Sequence, residues 1–237
     1  MRQWRPKVNP KLIVAFDFHR QEEAFQLLTQ LNPKQCAIKI GSEMFTLFGT
    51  ELVRTIINKG FKVFLDLKFH DIPNTVAQAC HACANLGVWM INVHACGGLK
   101  MMQAAREALN PYGAKRPLLI AVTVLTSMTA EDLIQINVET SVEEQVQNLA
   151  CLSKTAGLDG VVCSAFEVPT IKNACGPSFI TVTPGIRLPE SSLDDQARIM
   201  TPSQAIQAGS DYLVIGRPIT RAPSPSKIID LILTSID

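Results

Sequence analysis

Neither sign of charge dominates the chain: 22 Lys and Arg against 21 Asp and Glu leave a formal net charge of +1. The basic footprint of a nucleic-acid or anionic-membrane surface is therefore missing. No apolar run approaches the ~20 residues of a membrane span. The basic start, Met1-Arg2-Gln3-Trp4-Arg5-Pro6-Lys7, is not followed by a signal-type apolar stretch and small-residue cleavage site. A soluble, unexported, cytoplasmic protein is expected, with neither nucleic acid nor membrane as a partner. Also missing are a Gly-rich dinucleotide loop, a P-loop and an HExxH helix, so no nucleotide cofactor and no zinc hydrolase are implied. Low-complexity segments and linkers are lacking too, which leaves residues 1–237 as one domain.

Cysteine is present but without a framework. The seven residues, at 36, 80, 83, 96, 151, 163 and 175, are odd in number, and several fall inside apolar patterns. That suits buried, reduced thiols. Cys80-His81-Ala82-Cys83 has metal-ligand spacing, but no second CxxC accompanies it and its neighbours Val76-Ala77-Gln78-Ala79 read as a packed helix. No metal site is expected there. The four His residues, at 19, 70, 81 and 94, lack a spacing motif and are read as structural.

With 47% hydrophobic residues in 237, the chain can bury a large core. Short β-rich apolar runs alternate with helical patterns from end to end. Candidate strands are 11–18, 36–40, 62–69, 89–94, 118–125, 161–165, 179–184 and 212–216. Most are continuous apolar runs, as in parallel strands covered by helices on the outside. Between them, Ser141-Val142-Glu143-Glu144 and Thr201-Pro202-Ser203-Gln204 carry helix-start signals, and Gly60 and Gly209 mark stops. Eight βα units predict an α/β fold of the (β/α)8 TIM-barrel kind, with an open doubly wound sheet as the runner-up. Two βα connections are long: 126–140, expected to hold a short helix, and 188–200, polar and a lid candidate.

Barrel chemistry is sited at strand C-terminal ends. There the chain places Asp17, Lys39, then Asp66, Lys68 and Asp71, then Thr126 and Ser127. On a strand, Asp66 and Lys68 face the same way, toward a barrel mouth, where charges are paired or do chemistry. A rim salt-bridge network is the structural alternative. Thr183-Pro184-Gly185-Ile186-Arg187 and Ile215-Gly216-Arg217-Pro218 each join a Gly to an Arg after the last two strands. Loops there commonly bind phosphate through exposed backbone N–H groups and guanidinium. Surface ion pairing is the competing role for both arginines.

The run Asp66-Leu67-Lys68-Phe69-His70-Asp71-Ile72-Pro73-Asn74-Thr75 resembles the signature of the orotidine 5′-phosphate decarboxylase family in its bacterial form. The likeness continues through Val14-Ala15-Phe16-Asp17, Ile38-Lys39-Ile40-Gly41, Val122 to Met128, Thr183 to Arg187, Asp195-Gln196-Ala197-Arg198 and Ile215 to Ile219. The resemblance implies a cofactor-free, metal-free conversion of orotidine 5′-monophosphate to UMP and CO2, the last step of UMP biosynthesis. It makes Lys68 the proton donor to C6 of the pyrimidine, with Lys39, Asp66 and Asp71 completing a charged tetrad. Asp71, Ile72 and Thr75 would serve the partner subunit's site, which implies a homodimer with a shared site. Asp17 and Lys39 are implied at the ribose hydroxyls, and Thr126 and Ser127 near the pyrimidine. Arg187, Gln196, Gly216 and Arg217 are implied at the phosphate, with Pro184 in the same substrate-binding set.

Two other functions compete. A related barrel acting on a sugar phosphate with Mg2+, as decarboxylase or aldolase, shares the DxKxxD strand but carries an acid where this chain has Lys39. A second cation beside Lys68 repels a divalent ion that a carboxylate would ligate. A non-catalytic phosphate-binding barrel is the other competitor, and the intact set of Lys and Asp residues speaks against it.

Overall fold

The computed structural model describes residues 10–188 and 200–236. Eight parallel strands close on one another in sequence order: β1 (Leu12–Phe16), β2 (Cys36–Gly41), β3 (Val63–Phe69), β4 (Met90–His94), β5 (Leu118–Val122), β6 (Gly160–Val162), β7 (Ile180–Thr183) and β8 (Tyr212–Ile215), with β8 returning to β1. This is the (β/α)8 barrel expected from the alternation of apolar runs, and the open-sheet alternative is set aside. The helices are α1 (Gln21–Leu28), α2 (Ser42–Asn58), α3 (Pro73–Leu86), α4 (Gly98–Glu107), α5 (Ala130–Gln135), α6 (Val142–Thr155), α7 (Val168–Cys175), α8 (Pro202–Gln207), α9 (Arg217–Thr220) and α10 (Pro225–Ile236). Among the described residues, no helix is long and apolar enough to cross a membrane.

Several strand ends fall where the apolar runs place them, such as Cys36, Phe69 and His94, and the others differ for local reasons. The apolar run 118–125 contributes a strand only to Val122, because the chain there leaves the barrel rim. The run 161–165 pairs from Gly160 to Val162 and then turns at Ala165–Glu167, where the Ser164 side chain and Glu167 form a capping box. The expected short helix of the 126–140 connection is α5, started by a Thr129–Asp132 capping box. At α8 the Thr201–Gln204 box is complete, whereas at α6 Ser141 accepts from the Glu144 N–H without a return bond. Gly60 and Gly209 take φ of +90° and +101°, the left-handed geometry that stops a helix before the next strand.

Two cores follow from the strand alternation. Outward residues such as Leu12, Val14 and Phe16 pack under the helices, while inward Ile13, Phe64, Met90, Ile120, Val182 and Val214 fill the barrel. At the N-terminal end, Trp89 meets Tyr212 edge-on at 5.2 Å, and the Lys62 ammonium lies 5.6 Å over the indole. The bottom is thus closed by apolar bulk. The inward charged row Asp17, Lys39, Asp66 and Lys68 and the cavity it lines lie at the C-terminal end, where a ligand can enter.

Five of the seven cysteines are buried, whereas Cys96 is exposed and Cys151 half-buried. Burial pushes the Cys36, Cys80 and Cys83 thiols up to about 12, so they stay protonated at neutral pH. Among the described residues no group of three or more His, Cys, Asp or Glu is placed to hold a metal ion.

Candidate active site

Inward positions at the ends of three adjacent strands bring four charges into one line. Asp17 follows β1, Lys39 lies on β2, and Asp66 and Lys68 lie on β3. Lys39 Nζ stands 3.5 Å from Asp17 Oδ1 and 3.3 Å from Asp66 Oδ2, and Lys68 Nζ donates to Asp66 Oδ1 at 2.7 Å. The signs alternate along the row, so each buried charge has an opposite neighbour. The Lys39 and Asp66 side chains are only 12% and 11% exposed, which makes that pairing obligatory. Burial pushes the Asp66 carboxyl up. The ammonium groups of Lys39 and Lys68, with hydrogen bonds from Lys68 and Asn92, outweigh it and hold the carboxyl below its usual range. Asp66 is therefore ionised at neutral pH.

The pairing of Asp66 with Lys68 does not come from a regular strand. Between Leu65 and Phe69 the register against β4 shifts, so that four residue steps on β3 run beside two on β4. Lys68 takes φ of +51°, a left-handed conformation that costs a non-glycine residue about 1 kcal/mol. Such a bulge re-aims a side chain next to a functional site. Here it delivers the Lys68 ammonium onto the Asp66 carboxylate. The bulge is filled from β4 by Asn92, which sequence reasoning passed over. Asn92 is 1% exposed; its Oδ1 accepts from the Lys68 N–H at 2.8 Å and its Nδ2 donates to Asp66 Oδ1 at 2.6 Å. A lone polar residue at an inward position of the run Met90-Ile91-Asn92-Val93 was the available signal.

These groups face a cavity of about 310 Å3. Its second wall is apolar, made by Val122, Val124, Leu125 and Val162, with Thr126 and Pro184 beside them. Arg187, Arg217, Gly185 and Gly216 line the side formed by β7 and β8. Gly185 has φ of +79°, open to glycine, and turns the chain after β7 so that the loop approaches the cavity with its backbone. Arg187 also donates to its neighbour's carbonyl, Ile186 O, at 3.2 Å, and its N–H donates to Met200 O at 3.0 Å. That bond and the Ile186–Met200 bridge tie together the two ends of the long connection after β7. Gln196 and most of the lid candidate 188–200 lie outside the described residues.

Not every candidate meets at this cavity. Ser127 is exposed and does not line it. Asp71, Ile72 and Thr75 lie where β3 passes into α3 and point to the surface, with Ile72 67% exposed. Asp71 Oδ1 accepts from the Ile72 N–H at 2.6 Å rather than contacting Lys39, Asp66 or Lys68. Within one chain the tetrad is thus three groups plus Asp17. An arrangement of paired cations and anions, an apolar wall and two arginines fits a ligand with an anionic tail, hydroxyls and a flat heterocycle.

The sequence profile of the orotidine 5′-phosphate decarboxylase / HUMPS family matches residues 10–232. The chain belongs to this family. A curated orotidine 5′-phosphate decarboxylase from Legionella pneumophila is 60% identical over 229 residues, covering 97% of this chain and 100% of that protein. One from Psychromonas ingrahamii is 56% identical, covering 97% and 98%. Among solved structures, orotidine 5′-phosphate decarboxylase from Lactobacillus acidophilus aligns with a TM-score of 0.86 at 38% identity, over 97% of this chain and all of that one. An uncharacterized conserved protein from Geobacillus kaustophilus aligns at 0.85 and 40% identity over 95% of this chain and all of that one. The family signature seen in the sequence spans the β3 bulge and the first turn of α3, so it bridges the charged row and the exposed Asp71–Thr75 run.

Proposed function

We propose that the protein decarboxylates orotidine 5′-monophosphate to UMP and CO2, the last step of UMP biosynthesis, as a lyase that needs no cofactor. The observation that carries this is Lys39, whose ammonium sits 3.3 Å from Asp66 in a family member otherwise built on a DxKxxD strand. A Mg2+-dependent sugar-phosphate enzyme would want that carboxylate for the metal, and Lys39 already neutralises it.

The residues divide the reaction among them. Cleavage of the C6–carboxylate bond leaves its electron pair on C6, and no adjacent group of the ring can delocalise it. The Lys68 ammonium stabilises that developing charge and gives its proton to C6, while CO2 departs. Solvent then reprotonates the Lys68 amine. Ionised Asp66, facing the substrate carboxylate, disfavours the bound ground state relative to a transition state in which that charge is dispersing. Lys39 keeps Asp66 ionised and, with Asp17, hydrogen-bonds the ribose hydroxyls. Thr126, on the cavity wall, serves the pyrimidine, whereas Ser127, exposed and off that wall, is left without a substrate contact in this proposal. Arg187, Gly216, Arg217 and Gln196 serve the phosphate, whose binding energy is remote from C6 and available to organise the site, and Pro184 belongs to the wider substrate-binding set.

The working form in this proposal is a cytoplasmic homodimer of single-domain barrels spanning residues 1–237, with no nucleic-acid or membrane partner. Asp71, Ile72 and Thr75 complete the neighbouring subunit's site. The exposure of that run, and the Asp71 carboxylate's bond to the Ile72 N–H in place of a contact with its own chain's charged row, support a shared arrangement. Mixing inactive Lys68→Ala subunits with inactive Asp71→Ala subunits should restore part of the activity, because one hybrid site regains both groups. No recovery after confirmed subunit exchange would contradict sharing.

The assay for the activity itself is spectroscopic. Purified protein should consume orotidine 5′-monophosphate at an undiminished rate with a metal chelator present. Chelator-sensitive turnover, or turnover of a sugar phosphate in its place, would overturn the assignment.

A further inference from the structure

Asn92 is a buried polar side chain that lines no part of the cavity, yet it touches two residues that do. Its two contacts fix its orientation, since the Lys68 N–H can only donate and the ionised Asp66 carboxylate can only accept. The carboxamide therefore clamps the bulge from β4: one end holds the backbone of Lys68 in its left-handed conformation, and the other holds Asp66 Oδ1, the oxygen that also accepts from Lys68 Nζ. Both members of the Asp66–Lys68 pair lie on a stretch of β3 that has slipped out of register with β4. An unsupported bulge would leave the ammonium free to take several positions, and proton delivery to a carbon depends on sub-ångström placement.

We propose that Asn92 is a positioning residue of the decarboxylation site, setting the geometry of the Lys68–Asp66 pair through one carboxamide. This rests on the decarboxylase activity proposed above and deepens it. An apolar residue at position 92 would fill the barrel but leave the Lys68 N–H without its acceptor and Asp66 with one donor fewer. The surrounding charges show what else a substitution would meet. Lys39 on β2 and Asp66 and Lys68 on β3 face the clamp. His94, two residues along β4, stacks against His70 at 5.7 Å between ring centres. On the β5 side the groups nearest the mouth, Val122 and Val124, carry no charge.

The two jobs can be separated. Asn92→Asp keeps an oxygen for the Lys68 N–H and replaces the donor to Asp66 with a second carboxylate oxygen. Its kcat should fall about 10- to 100-fold at and above neutral pH, as expected for one lost buried hydrogen bond beside a like charge. KM should stay within about twofold, because the remote phosphate grip is untouched. As pH is lowered, the introduced carboxyl takes up a proton, can donate to Asp66 again, and kcat should climb back toward wild type. Asn92→Ala should show a similar loss at neutral pH without the recovery. A wild-type kcat in both variants, or a loss in Asn92→Asp that does not respond to pH, would overturn the proposal. Failure of both variants to fold would make Asn92 a residue of the fold alone and overturn it too.

A carboxyl-carbon NMR titration of Asp66 separates this inference from the activity it rests on. Loss of the Asn92 donor should move the Asp66 titration to higher pH whichever substrate the protein turns over. If wild type fails to decarboxylate orotidine 5′-monophosphate, the assigned reaction falls, while an unmoved Asp66 titration in Asn92→Ala refutes the clamp.

Discussion

Lys68→Ala is expected to lower kcat for orotidine 5′-monophosphate by about a thousandfold or more, with the barrel intact. The variant loses the ammonium that donates to Asp66 Oδ1 and delivers the proton to C6, and with it the charge that offsets the carbanion, effects that each contribute orders of magnitude. Product binding should change far less, because the phosphate grip lies on β7 and β8. A second readout comes from acid stability. Asp66 titrates below its usual range in the folded protein, so it stabilises the fold above the unfolded carboxyl pKa of ~3.9 and loses that contribution as pH falls through the folded value. Removing the Lys68 ammonium takes away one of the groups that hold the carboxyl down. The folded value rises, and acid unfolding followed by circular dichroism should begin at higher pH than in wild type. Near-normal turnover would refute the proton-donor role, and an unmoved acid transition would refute the coupling.

Gly160→Ala should be among the most damaging single-methyl changes in the chain, although the residue touches no ligand. A Cβ at Gly160 would lie 2.1 Å from the Ile180 carbonyl oxygen and 2.6 Å from Ile180 Cβ. Relief requires moving backbone, and Gly160 is paired on both sides, to Ile120 on β5 and Ile180 on β7. A closed barrel gives β6 no free edge along which to retreat. The expected cost is about 3 kcal/mol, from overpacking against an unyielding neighbour. For a domain of this size that lowers Tm by roughly 10 °C in a thermal unfolding scan. A Tm within about 2 °C of wild type would mean that the β6–β7 spacing is looser than the structure shows.

Both variants act at places where neighbours along the chain give little warning. Gly160 follows Leu158-Asp159 and reads as an ordinary start to an apolar run. Only the facing strand makes a methyl group impossible there. The same holds for Lys68, whose spacing from Asp66 suggested a regular strand with both side chains on one face. The side chains do meet, but through a bulge and a left-handed residue, because β3 must accommodate Asn92 from β4.

What the sequence determined by itself is considerable. Alternating apolar runs and helix-start signals specified eight βα units in order, since strand and helix periodicities are properties of adjacent residues. The charged residues at strand ends, and the Gly-Arg pairs after β7 and β8, were legible for the same reason: a strand's C-terminal end is visible where its apolar run stops. Tertiary structure alone decided which of those residues meet. It placed Asp17 against Lys39 across β1 and β2, sent Asp71 away from the row to the surface, and seated Asn92 in the bulge beneath Lys68. Those relations depend on the register between strands whose residues are 22 and 26 positions apart in the chain, as with Lys39–Asp17 and Asn92–Asp66. Register is set by how side chains pack when the barrel closes, and no local pattern encodes it.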